Sequence, residues 1–185
     1  MLMGKMVVIF RTDASLKIGS GHVMRCLALA EILRKSGADV EFVCRKHEGD
    51  LIDLIREKGF VVNELQLTHN LRPVFFTENY AVNNYGSWLG TSQEHDAQET
   101  INVLRKNKLD WLVVDHYALG KNWENQLRPH FRNIMVIDDL ADRKHDCDIL
   151  LDQNYFIDVE SRYVDLLPPN CTKLLGPKFA LLRPE

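Results

Sequence analysis

The sequence predicts an open α/β fold, a mostly parallel Rossmann-like sheet with helices on both faces. Two observations carry this expectation. Short apolar runs recur along the 185 residues, with helical patterns between most of them. The first run also leads directly into a glycine-rich turn and then a helix, the strand–turn–helix unit of such sheets.

The runs Met6–Phe10, Val40–Val43, Trp111–Val114, Ile134–Ile137 and Ile149–Leu151 are short and, apart from Glu41, apolar, as strands covered on both faces are. Between the first two, Val23, Cys26, Leu27, Ala30 and Leu33 fall on one stripe of a helix over 21–36. Arg34, Lys35 and Ser36 lie off that stripe, and Gly37 supplies the stop. Leu51, Leu54 and Ile55 mark a second helix within 49–59, ended by Gly59. A polar helix is expected over 93–108. Residues 66–92 break the rhythm with Phe75, Phe76, Tyr80, Tyr85 and Trp88 among asparagines and glycines. A long stretch of weak pattern inside a compact domain is a misread element or a functional loop. Its aromatics either cap the core or form a wall for a ring-shaped ligand.

Four of the six prolines lie in 165–185 (Pro168, Pro169, Pro177, Pro184). The chain therefore divides into a Rossmann-like domain over 1–164 and a connector over 165–185.

Hydrophobic residues make up 45 % and charged residues 26 %, the proportions of an ordinary globular domain rather than a disordered or fibrous chain. The net charge is −3, and no basic stripe offers a footprint for nucleic acid or an anionic membrane surface. No stretch approaches the roughly 20 apolar residues of a membrane span. Cys26, Cys44, Cys147 and Cys171 form no C-x-x-C pair and read as reduced thiols. A cytoplasmic protein is expected.

Residues 18–26 read I-G-S-G-H-V-M-R-C. A dinucleotide fingerprint would need glycine or alanine where Met24 stands, and a Walker loop would need Gly-Lys-Ser/Thr. What remains is a helix start with free N–H groups at the carboxyl edge of a strand, where open sheets bind ligands. His22 and Arg25, three apart, share a helix face. A histidine near neutrality serves as a base, and one that merely fixes the turn fits the same residues. Arg25 opposes the helix dipole, so an anion or a carboxylate nearby is expected, with Asp13 a candidate. Asp115-His116-Tyr117 and Asp138-Asp139 follow later strands, and in a parallel sheet both lie on the edge that carries His22. Either aspartate also suits a helix cap. The mixed run from Asp138 to Asp148 has no metal-ligand spacing, and solvated charge is expected around Asp142–Lys144.

R-T-D-A-S-L-K-I-G-S-G-H-V-M-R-C-L-A-L-A (11–30) closely resembles the opening of the bacterial UDP-sugar hydrolases of pseudaminic acid biosynthesis. Those enzymes remove UDP from UDP-2,4-diacetamido-2,4,6-trideoxy-β-L-altropyranose, and the spore-coat polysaccharide biosynthesis proteins share the opening. W-L-V-V-D-H-Y (111–117), I-D-D-L-A-D-R-K-H-D-C-D-I-L-L-D-Q-N-Y (137–155) and L-L-G-P-K-F-A-L-L-R-P-E (174–185) continue the likeness in order. The resemblance implies the amino-terminal half of a GT-B-like two-domain enzyme, with His22 activating a water that displaces UDP with inversion. It implies no metal and no cofactor. A UDP-binding carboxyl-terminal domain, which the family carries after L-L-R-P-E, is expected as partner. Asp13, Gly19, Ser20, Gly21, Arg25, Tyr85, Trp88, Asp115, His116 and Tyr117 are the expected substrate contacts. The alternatives are the acceptor half of a related glycosyltransferase, in which His22 activates a sugar hydroxyl, and a sugar-binding module without catalysis.

Overall fold

A computed structural model of the chain describes residues 5–67, 85–104, 109–159 and 161–182. Seven parallel strands form one sheet: β1 Val7–Thr12, β2 Asp39–Arg45, β3 Val61–Leu65, β4 Leu109–Asp115, β5 Phe131–Ile137, β6 Ile149–Asp152 and β7 Thr172–Leu175. Their order across the sheet is β3-β2-β1-β4-β5-β6-β7. The helices are α1 Gly21–Lys35, α2 Ile52–Glu57, α3 Gln93–Val103 and α4 Lys121–Leu127.

All six residues of β1 are buried. Alternation along the strand sends Val8 and Phe10 to one face, against Val23, Cys26 and Leu27 of α1 and Ile52 and Ile55 of α2. It sends Val7 and Ile9 to the other, against Ala97 of α3 and Trp123 and Leu127 of α4. Two cores thus sandwich the sheet, which is why the central strands carry short, largely apolar runs.

The strand order sets where a site can form. From β1 the chain winds outward to β2 and β3, then returns to place β4 on the other side of β1. The direction of winding reverses between β1 and β4, and at such a switch point the loops part to leave a crevice beyond the strand ends. Thr12 of β1 pairs with Asp115 of β4 at that edge.

Three expectations need correction. The helix expected over 93–108 ends at Val103, because Leu104 is already extended. The tail expected as a connector contributes a strand: Thr172–Leu175 pair with β6, so residues beyond 164 are built into the sheet. An edge strand with only two leucines carries little apolar signal, and proline enrichment masked it. The strand β3, V-V-N-E-L, was also not expected, since Asn63 and Glu64 interrupt its apolar pattern. Phe75, Phe76 and Tyr80 lie outside the described residues.

Candidate functional site

The turn between β1 and α1 is built from short-range bonds. Ser15 Oγ accepts from the N–H groups of Lys17 and Ile18 at 3.2 and 3.0 Å, and Gly19 N–H donates to Ser15 O at 2.8 Å. Gly19 has φ 79°, in the left-handed region that costs other residues about 1–2 kcal/mol. Gly19, Ser20 and Gly21 are exposed. A Cβ added at Gly21 would meet no neighbour, so the glycine leaves open space in front of the helix. The Ser20 side chain makes no capping bond and the first turn of α1 holds no acidic residue. Its first amides are therefore left without a side-chain acceptor, where the helix dipole is positive.

His22 sits at the second position of α1 and is 6 % exposed. Its Nδ1 lies 2.6 Å from Asp115 Oδ1. Asp115 also accepts from Arg25 twice, at Nε (2.5 Å to Oδ2) and Nη2 (2.6 Å to Oδ1). The expected carboxylate partner of Arg25 is thus Asp115, not Asp13. A carboxylate at 2.6 Å can only accept, so Nδ1 carries the proton, and its 3.2 Å approach to Arg25 Nη2 is a contact between two donors. The unprotonated nitrogen of neutral His22 is then Nε2, which has no hydrogen-bond partner among the described residues.

Asp115 is fully buried. Burial alone raises a carboxyl pKa, but the hydrogen bonds from Arg25 and the charge and hydrogen bond of His22 outweigh it and bring Asp115 down to about 2. It is a fixed anion at neutral pH. Burial disfavours the Arg25 cation, yet Asp115 reverses the balance and raises its pKa.

Tyr117 closes this cluster. Its ring packs edge-on to His22 with centroids 4.5 Å apart. Tyr85 and Trp88, in a single 3-10 turn over Tyr85–Trp88, pack against it at 5.1 and 5.9 Å. The Tyr117 hydroxyl donates to Asp139 Oδ1 at 2.6 Å, and Asn154 Nδ2 donates to Asp139 Oδ2 at 2.7 Å. Burial first, then Asp139, raises the Tyr117 pKa, so the phenol keeps its proton. Arg25 Nη1 lies 3.9 Å from the same carboxylate. The structure thus gathers His22, Arg25, Asp115, Tyr117, Tyr85 and Trp88, with Gly19–Gly21 beside them in sequence.

Three expected substrate contacts are sealed in. Asp13, Asp115 and His116 are 0, 0 and 2 % exposed, so none offers a surface to a ligand. Asp13 Oδ1 accepts from Arg11 Nη1 and from Arg45 N–H, both at 2.6 Å. Arg11 in turn grips Asp96 of α3, which also accepts from Arg45 Nη2 and Trp123 Nε1. This buried network binds β1, β2, α3 and α4 under the site. His116 Nδ1 accepts from Ala118 N–H at 3.1 Å, which places its proton on Nε2, 3.3 Å from Asp13 Oδ2. Burial lowers the His116 pKa and keeps it neutral.

The run 138–148 divides. Asp142 and Lys144 are exposed, whereas His145 is buried with Nδ1 2.6 Å from Glu124 Oε1. Among the described residues no group of three or more His, Cys, Asp and Glu side chains is arranged to hold a metal. No described helix is long and apolar enough to cross a membrane. Two residues belong with the site beyond the expected substrate contacts. Asp139 has a visible signal, an aspartate ending an apolar strand, while Asn154 declares itself only through the pairing that brings the end of β6 beside β5.

Fold and site together define an open α/β, Rossmann-like domain with a histidine–aspartate pair at its switch point. Over 181 residues, 97 % of its own length, the chain is 32 % identical to the UDP-2,4-diacetamido-2,4,6-trideoxy-beta-L-altropyranose hydrolase of Campylobacter jejuni. The match covers 53 % of the hydrolase, so the chain spans about half the length of this curated relative. No family model matches. A crystal structure of Acinetobacter baumannii MurG aligns over 94 % of this chain and 68 % of that one, loosely, with a TM-score of 0.38 and 12 % identity.

Proposed function

We propose that the chain is the sugar-side half of an enzyme that hydrolyses a UDP-linked 2,4-diacetamido-2,4,6-trideoxy sugar to UDP and the free sugar. The observation that carries this reading is the commitment of His22 Nδ1 to Asp115, which leaves Nε2 as the basic nitrogen. The relative's activity supplies the substrate class.

In this reading a water lies against Nε2 and its oxygen attacks the anomeric carbon. The proton passes to Nε2 as the bond from that carbon to the phosphate oxygen breaks, and UDP departs with the electron pair. Attack opposite the leaving group inverts the anomeric centre. Asp115 stabilises the imidazolium, and Arg25 clamps Asp115. Arg25 gives Nε and Nη2 to Asp115 and holds Nη1 3.9 Å from Asp139, so it acts behind the histidine by bracing the aspartate that orients it. A diphosphate leaves well, so the second carboxylic acid of ordinary glycosidases is not required. The exposed backbone of Ser20 and Gly21 offers N–H groups to negative charge, and Tyr117, Tyr85 and Trp88 offer a wall to the sugar ring and its acetamido groups. The main UDP contacts come from the part of the relative's length that this chain does not span.

The test is to supply the protein at its natural length with the UDP-sugar in 18O-water, following UDP release and the first-formed anomer by NMR. Release without an acceptor, with 18O at an inverted anomeric carbon, supports hydrolysis. A requirement for an acceptor alcohol points instead to transfer, and binding without turnover to a sugar-binding module.

A further inference from the structure

Cys147 and Cys171 stand apart from the site and play no part in the chemistry above. Their sulfurs are 3.6 Å apart, although 24 positions separate them in the chain. The sheet causes the meeting. Cys147 lies two residues before β6 and Cys171 immediately before β7, and the two strands run parallel from Ile149 paired with Thr172. The N–H of Thr172 also donates to Asp148 O at 2.8 Å, which fixes the backbones that carry the two thiols. Cys147 is buried at 2 % exposure, whereas Cys171 is only partly covered. Cys26 and Cys44 are both buried and make no such pair.

We propose that Cys147 and Cys171 are a dithiol site at which a peroxide or another two-electron oxidant forms an intramolecular disulfide. Cys171 is the attacking thiol because it alone of the two reaches solvent. The hydrogen bond from Cys147, foremost, holds the Cys171 thiol below its ordinary pKa, while the same contact raises Cys147. The Cys171 thiolate attacks one peroxide oxygen, the O–O bond breaks, and Cys171 becomes a sulfenic acid as hydroxide leaves and takes a proton to become water. The Cys147 sulfur then attacks the Cys171 sulfur; the S–S bond forms, the S–O bond breaks, and the departing hydroxide takes the Cys147 proton as a second water. The peroxide is reduced by the two electrons the thiols lose. A disulfide bond of about 2.05 Å requires the sulfurs to close by roughly 1.5 Å from their present separation, within reach of a side-chain rotation at the edge of the sheet. The crosslink closes the excursion between β6 and β7. That excursion carries Asn154 and Arg162, which donate to the Asp139 carboxylate and carbonyl.

This inference does not depend on the proposed hydrolysis, and its test needs no substrate. The folded 185-residue chain is treated with hydrogen peroxide and quenched. It is then denatured, alkylated and measured by intact mass and peptide mapping. The expected result is the loss of two hydrogens, protection of two of the four thiols, and a crosslinked peptide joining 147 to 171 that a dithiol reductant reverses. Cys171→Ser, at the less buried position, retains three alkylatable thiols after the same treatment. Cys147→Ser stops at a Cys171 sulfenic acid that a dimedone-type reagent traps. Four thiols surviving in the wild-type chain, or Cys171 driven to sulfinic acid while Cys147 remains free, would overturn the proposal.

Discussion

Asp115→Asn tests the physical basis of the site without touching the histidine. The native carboxylate takes three short bonds, from His22 Nδ1 and from two nitrogens of Arg25, and lies 3.5 Å from Cys26 Sγ. An asparagine keeps one acceptor oxygen and turns an NH2 group toward donors. It leaves the Arg25 guanidinium, whose side chain is 12 % exposed, without its nearest counter-charge, with only the Asp139 carboxylate 3.9 Å from Nη1. Two routes give the magnitude. A carboxyl held at about 2 rather than near 3.9 is worth about 2–3 kcal/mol at neutral pH. Breaking a buried ion pair from one side typically costs about 3–5 kcal/mol. A loss of about 3 kcal/mol lowers the melting temperature by roughly 6–12 °C in a chain of this size. Thermal unfolding of the 185-residue chain by circular dichroism reads this directly. A variant melting within about 2 °C of wild type would refute the claim that the carboxylate is a buried, committed partner. In the active protein the same change removes the group that fixes the His22 tautomer, and turnover is expected to fall by about 10²–10⁴.

Gly19→Ala is expected to cost about 1–2 kcal/mol, because φ 79° is unfavourable for any Cβ, whereas Gly21→Ala leaves the melting temperature nearly unchanged; matched melts of the two variants check this. Asp115 has a folded pKa below its unfolded one, so its stabilisation is complete above about pH 4 and is lost as pH falls toward 2. Acid titration should therefore show wild type losing stability through that window and Asp115→Asn showing a shallower fall. Calorimetry with the 185-residue chain alone is expected to show weak or undetectable UDP binding. Tight binding would place the nucleotide site in this half.

Much of this architecture was legible because burial on both faces leaves a strong trace. Phe10, Phe42, Leu112, Ile134 and Leu150 are buried in the middle of strands whose central positions are largely apolar, and each of those strands shows a short apolar run. The edge strands did not, because β3 and β7 have solvent on one side and need fewer apolar positions. At the site, the glycine turn and His22 were visible because their sequence makes poor sense as plain helix start. The buried roles of Asp13 and His116 were not. Strand-end aspartates and histidines look the same in sequence whether they face a ligand or a neighbouring strand, and only the positions of Arg11 and Arg45 decide it. The partner of Arg25 was hidden for a related reason. Asp115 is 90 residues away, and the two meet only because β4 inserts beside β1.

The central claim is that His22 is the base of a UDP-sugar hydrolase. Its most direct test is UDP release from UDP-2,4-diacetamido-2,4,6-trideoxy-β-L-altropyranose by the protein at natural length, compared between wild type and His22→Asn variants of matched circular dichroism. The account predicts acceptor-independent release by the wild type and a loss of about 10²–10⁴ in the variant. A folded variant that turns over within about threefold of wild type, far inside the range expected for a missing base, would contradict it.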